Sequence, residues 1–214
     1  MQNDILDNMQ GGLFDLDGVI VDTAKYHYLA WKRLAADLGF DFTEHDNERL
    51  KGVSRMESLR ILLEIGGINA TDDEKAAMAA RKNAWYVEYI SNMDASEILP
   101  GAREYLTRLR ERGVKTALGS GSANAPLILT NLHITGLFDA IVDGSMVTNA
   151  KPDPEVFLLG AQKLGLDPAV CVVFEDAAAG IEAARRGGMH SVGIGTREAL
   201  PEADLVIAGL IDLL

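Results

Sequence analysis

Short apolar runs alternate with helical patterns along most of this chain, and the place where the alternation stops is equally informative. Apolar runs cover 114–118, 140–142, 170–174, 191–194 and 205–207, and each ends in polar or glycine residues. A shorter run, 13–14, precedes Asp15. Helical periodicity follows most of them, over 125–132, 154–164 and 177–186. Such alternation predicts an α/β fold with a parallel sheet covered on both faces. The stretch from 23 to 93 contains no convincing strand. Its helical segments run over 24–38, 54–65 and 72–90. The expected organisation is therefore an α/β core of 1–21 and 94–214, with a helical cap, 22–93, inserted after the first strand. Hinges are expected near 21–23 and 91–101, where Pro100-Gly101 is a turn signal.

Composition narrows the class of function. Hydrophobic residues make up 48% of the 214 residues, enough for a buried core and too many for general disorder. Twenty basic against 32 acidic side chains give a net charge of −12, which argues against a nucleic-acid partner. A phosphate site remains open, because a few converging cations suffice. No run reaches membrane-span length and the N-terminus lacks a signal-peptide pattern, so the expected setting is cytoplasmic, without a membrane partner. Cys171 lies in an apolar run and reads as a small buried hydrophobe.

Carboxylates gather where strands end. Asp15 and Asp17, two apart, share a side in an extended segment, and Gly18 lets the chain turn sharply after them. One as nucleophile and one as acid/base would suit covalent phosphoryl transfer. A helix-capping turn is the alternative. Glu175-Asp176 closes the run 170–174 and opens a helix, where acidic residues are favourable in any case. Four such carboxylates repel one another unless a cation joins them, and hard oxygen ligands with phosphate suit Mg2+. Ser120, in Gly119-Ser120-Gly121-Ser122-Ala123-Asn124, offers a hydroxyl and backbone N–H groups to phosphate oxygens, though an ordinary N-cap turn reads the same way. Lys151 precedes a proline-started helix and is either a phosphate ligand or a surface lysine.

Asp15-Leu16-Asp17-Gly18, Ser120, Lys151 and Glu175-Asp176, in this order and spacing, resemble the haloacid dehalogenase superfamily. The resemblance implies a Rossmann-like core with a helical cap, a bound Mg2+ on Asp15, Asp17, Glu175 and Asp176, and an aspartyl-phosphate on Asp15. Asp17 would be the general acid/base, while Ser120 and Lys151 hold the phosphoryl group.

The insert carries a second signal in Lys51-Gly52-Val53-Ser54-Arg55-Met56-Glu57-Ser58. Ser54 with Glu57 reads as a capping box. Lys51 and Arg55 at a helix start make an anion site or a solvated basic face. With Thr23, His27, Trp31 and Arg81-Lys82-Asn83, this stretch resembles the hexose-phosphate mutases of the same superfamily. That resemblance implies a sugar-phosphate substrate, with β-D-glucose 1-phosphate and glucose 6-phosphate exchanging through β-glucose 1,6-bisphosphate. Arg55 and Asn124 would hold the distal phosphate, with Ser122 also at a substrate-contacting position. Gly52, Val53 and Ser58 would line the sugar side. His27 with Lys82 would couple cap closure to the placing of Asp17, although a lone histidine is often only an interface residue. Trp31 is most simply cap core. His45, His133 and His190 have no assigned role. A sugar-phosphate phosphatase is the alternative activity, and a phosphonate hydrolase with a Schiff base on Lys51 a more distant one. A monomer is expected.

Two positions depart from the family pattern. Gly11-Gly12 replaces apolar strand residues, so the first strand is expected to be short or frayed, and the ten residues before it a disordered extension. Ala123 stands where relatives often have a basic or polar residue, which leaves the distal phosphate more dependent on Arg55 and Asn124.

Overall fold

The computed structural model describes residues 2–50 and 53–214, so Lys51 and Gly52 lie outside the described residues. The chain divides into two compact units, Met1–Asp22 with Met93–Leu214, and Thr23–Asn92. The first unit begins with α1 (Gln2–Asp7) and β1 (Gly11–Phe14). The second unit holds α2 (Ala24–Asp37), α3 (Glu44–Asn47), α4 (Arg55–Ile65) and α5 (Asp72–Ile90). The first unit then resumes with α6 (Ala102–Glu111), β2 (Lys115–Gly119), α7 (Ala125–Asn131), β3 (Ala140–Val142) and α8 (Glu155–Leu164). It ends with β4 (Cys171–Glu175), α9 (Ala178–Arg186), β5 (His190–Ile194) and β6 (Leu205–Ile207).

The six strands form one sheet in the order β3-β2-β1-β4-β5-β6, with every neighbouring pair parallel. Alternate residues along a strand face opposite sides. Leu13, Ala117, Cys171 and Val173 therefore pack with Phe157, Ala161 and Leu164 of α8 and with Ala183 and Ala184 of α9. Phe14 and Phe174 face the other way and stack at 4.4 Å, with Tyr105 of α6 edge-on to both. Burying a side chain of this size contributes roughly 2–3 kcal/mol.

β1 is short but not frayed. It is paired on both sides, Gly11 against Lys115 and Cys171, and all four residues are buried. The glycines are needed for lack of space: a Cβ on Gly11 would come within 2.7 Å of Leu166 and 3.0 Å of the Cys171 sulfur, and one on Gly12 within 2.8 Å of the Phe14 ring. The segment ahead of β1 forms a helix instead of a disordered extension. Its far end is tied down, since Gln10 N–H donates to Val170 O and Lys115 N–H donates to Gln10 O, both at 3.0 Å.

The second unit is all-helical among the described residues. Ala30, Trp31, Leu34 and Ala35 of α2 lie on one stripe at helical spacing, as do Ala79, Lys82, Tyr86 and Ile90 of α5. Trp31, Leu34, Phe42, Leu59, Leu62 and Ala79 build its core. Complete capping boxes start α3, from Thr43 and Asp46, and α5, from Thr71 and Glu74. The box expected at Ser54 and Glu57 is only half formed. Ser54 accepts the Glu57 N–H, but the Glu57 carboxylate is taken by Arg60 at 2.7–3.0 Å. No helix of the described residues is long and apolar enough to cross a membrane.

Candidate active site

The sheet register places the acidic residues at the carboxyl ends of adjacent central strands. Phe14 pairs with Leu118 and with Phe174, so Asp15 comes out beside Gly119 on one side and Glu175 on the other. Ligand sites of open α/β sheets lie at such ends. Asp15 N–H still donates to Phe174 O at 3.0 Å, after which the chain leaves the extended conformation. Gly18 has a φ of +77°, and a Cβ there would overlap the Asp176 carboxylate. Both the turn and the close approach thus require glycine.

Asp15 is nearly buried and each of its oxygens is engaged. Oδ2 accepts the Asp17 N–H at 2.9 Å, and Oδ1 accepts from Lys151 Nζ at 2.5 Å. Lys151 also donates to Glu175 Oε2 at 2.8 Å and lies 4.6 Å from the centre of the Phe157 ring. Burial alone would lower the Lys151 ammonium, but Asp15 and Glu175 outweigh it and hold it above its ordinary value. Burial pushes the Glu175 carboxyl up to about 8, with Asp15 and Asp176 adding to the rise and Lys151 opposing it.

Asp15, Glu175 and Asp176 each bring an oxygen within 4.8 Å of the others. Asp17 is not part of this grouping. Two residues two apart share a side only while the chain stays extended, and β1 stops at Phe14. Three carboxylates against one ammonium leave negative charge in excess, and all the donors are hard oxygens. This chemistry fits a divalent cation such as Mg2+.

Ser120 is buried at the end of β2. Its Oγ accepts the Ser122 N–H at 3.1 Å, which leaves its O–H to donate. Ser122 Oγ in turn accepts the Asn124 N–H at 3.3 Å, so the loop is held by its own hydroxyls, and Ala123 is exposed.

Two functional positions give little signal in the sequence. Gly180 lies in α9, and a Cβ there would fall on the Glu175 side chain, so its bareness lets that carboxylate lie against the helix. A glycine inside a helix costs about 1 kcal/mol against alanine, and that cost is the available clue. Glu155 accepts from Thr148 N–H at 3.0 Å and Asn149 N–H at 2.8 Å, which fixes the loop that carries Lys151.

In the helical unit, Arg55 opens α4 and is exposed, and it has no carboxylate ion pair among the described residues. Partial desolvation lowers its guanidinium, with Tyr86 pulling the other way. The neighbouring acids are already occupied, since Arg60 binds Glu57 and Glu64, and Arg49 binds Glu64. Ser58 is buried and Val53 exposed. Thr23 is buried at the start of α2, and its carbonyl accepts the His27 N–H. His27 Nδ1 meets Lys82 Nζ at 3.0 Å. Burial first, then Lys82 and Arg55, holds His27 well below its ordinary value.

The model of the haloacid dehalogenase-like hydrolases matches residues 10–188, a span that includes Asp15, Ser120, Lys151, Glu175 and the whole helical insert. The chain belongs to the haloacid dehalogenase-like hydrolase family. Within this family it is similar to a β-phosphoglucomutase of Bacillus subtilis, 44% identical over 96% of this chain and 92% of that protein. It also resembles a phosphorylated-carbohydrates phosphatase of Thermotoga maritima, 33% identical over 86% of this chain and 84% of the other. The crystal structure of a β-phosphoglucomutase from Clostridium difficile superposes with a TM-score of 0.91 at 43% identity, covering 96% of this chain and 93% of that one. The names of these relatives carry two different activities, a mutase and a phosphatase.

Proposed function

We propose that this chain is a β-phosphoglucomutase, which interconverts β-D-glucose 1-phosphate and glucose 6-phosphate through β-glucose 1,6-bisphosphate. The observation that carries a phosphoryl-transfer reading is Asp15, fixed on one oxygen by Lys151 and on the other by the Asp17 N–H. The choice of a mutase rests on the 44% identity to a β-phosphoglucomutase along nearly the whole chain.

In this reading the Asp15 carboxylate attacks phosphorus and an aspartyl-phosphate forms as the sugar–oxygen bond to phosphorus breaks. Asp17 gives its proton to the leaving sugar oxygen, and later takes one from the hydroxyl that attacks the phosphoenzyme. Lys151 and Ser120 hold the phosphoryl oxygens while negative charge spreads over them. Asp15, Glu175 and Asp176 would hold Mg2+, which supplies positive charge that eases the approach of a carboxylate to a phosphate. Asp17, outside the close grouping, is assigned to proton transfer. Arg55, Lys51 and Asn124 are assigned the second phosphate, with Gly52, Val53, Ser58 and Ser122 toward the sugar. Ala123 adds no charge there. Thr23, His27 and Lys82 are assigned to substrate positioning. The bisphosphate serves as activator and intermediate, because the free enzyme must be phosphorylated before it turns over.

The test follows products by phosphorus NMR with β-glucose 1-phosphate, Mg2+ and a trace of bisphosphate. Glucose 6-phosphate without stoichiometric inorganic phosphate is expected. Stoichiometric inorganic phosphate overturns the mutase and leaves a sugar-phosphate phosphatase, an activity in the name of the Thermotoga relative.

A further inference from the structure

Lys82 occupies a core position on the buried stripe of α5 and is 2% exposed. A buried ammonium is costly unless something replaces its water. Around its Nζ lie His27 Nδ1 at 3.0 Å, the Trp31 ring at 4.6 Å and the Tyr86 ring at 4.8 Å. Both ring distances are within the range where an aromatic face attracts a cation. The four residues form a box built from two helical repeats. Trp31 lies one turn beyond His27 on α2, and Tyr86 one turn beyond Lys82 on α5. The box is closed by His27 and Tyr86, whose rings stack at 4.1 Å with an interplanar angle of 29°.

An ammonium only donates hydrogen bonds, so the His27 Nδ1 that meets it must carry a lone pair. A neutral ring with its lone pair on Nδ1 carries its proton on Nε2. Among the described residues, the titratable and charged groups facing the imidazole are Lys82 and Tyr86 from α5 and Arg55 from α4, and the two cations, Lys82 and Arg55, favour the neutral ring. We propose that Trp31 and Tyr86 are positioning residues: their faces hold the Lys82 ammonium against His27 and so fix His27 as an Nε2–H donor. His27 then offers a hydrogen bond and takes no proton, which leaves proton exchange to Asp17. The catalytic consequence rests on the mutase reading given above; the tautomer itself does not.

The test uses the full chain labelled with nitrogen-15. Long-range proton–nitrogen NMR separates the two neutral tautomers, and His27→Gln assigns the His27 signal among the four histidines. The wild type is expected to show the Nε2–H form at neutral pH. In Trp31→Leu and Tyr86→Leu the ring face is lost and the His27 signal should move toward a mixture of tautomers. Tyr86→Phe keeps a face and should keep the wild-type signal. Under mutase assay the two leucine variants should lose roughly tenfold in kcat with KM little changed, and Tyr86→Phe should recover it. An Nδ1–H or mixed His27 in the wild type overturns the proposal, as does an unchanged signal in folded leucine variants. Should those variants unfold, Trp31→Phe replaces them: a partial shift supports the cage and no shift overturns it. Wild-type protein with the expected tautomer but no mutase turnover defeats the functional reading and leaves the cage standing.

Discussion

Each unit of this chain holds a lysine whose side chain is almost hidden from solvent, and the two are held by opposite means. Lys151 lies between the carboxylates of Asp15 and Glu175. Lys82 lies between the faces of Trp31 and Tyr86, with the lone pair of His27 as its hydrogen-bond partner. In the first site acid outnumbers base, so the pocket invites a metal ion and through it a phosphate. In the second, two ring faces and an imidazole lie around the ammonium, and the lysine orders a ring. A buried cation can serve either purpose, and the neighbours decide which.

The largest effect should come from removing the acid at the centre of the first site. Asp15→Asn is expected to lower turnover by more than about 10⁴-fold, because the nucleophile is gone. Circular dichroism and the His27 NMR signal should be unchanged; retained activity would remove Asp15 from the nucleophile's role. Lys151→Met should cost roughly 10²- to 10³-fold in kcat, the scale of losing one fixed donor to developing charge. Loss confined to KM would mean that Lys151 only binds.

Metal addition separates the units by stability. Mg2+ at about a hundred times its Kd should stabilise the fold by about 2.7 kcal/mol, seen as a rise in melting temperature that EDTA reverses. Asp176→Asn should abolish the rise and Lys82→Met should keep it. The reverse pattern would place the ion elsewhere. The smallest effect is a pH dependence in the helical unit. Folded His27 titrates well below its ordinary value of 6.5, so as pH falls through that value the unfolded chain takes up the proton first. Stability from neutral His27 is therefore complete above 6.5 and declines below it. His27→Gln should flatten that decline in melting curves; an identical pH profile in both proteins would contradict it.

The sheet was legible because its strands are compact apolar runs ending in chemistry-bearing residues, as at Phe14-Asp15 and Phe174-Glu175. The helices at 24–38, 54–65 and 72–90 were legible from their stripes. α6 was not assigned, since its four buried residues, Ala102, Tyr105, Leu106 and Leu109, are set among charged ones. The family resemblance put all four carboxylates on one metal ion, but the close grouping holds three, because β1 ends at Phe14 and Asp17 lies beyond it. Tyr86 reads simply as core, because a tyrosine on an apolar stripe gives no sign of which ring or ammonium it will meet. Gly11 and Gly12 misled for a related reason: a bare backbone reads as weakness until the side chains crowding it are seen.

The sheet order also sets a schedule for synthesis. β1 emerges early yet pairs with Lys115–Gly119 on one side and with Cys171–Glu175 on the other. Contacts so distant along the chain close slowly. The helical insert ends at Asn92 and is released from the ribosome whole before either partner strand. The central strand, with Asp15 at its tip, thus waits for both partner strands, and Asp15 meets Lys151 and Glu175 only once the helical insert has had time to fold.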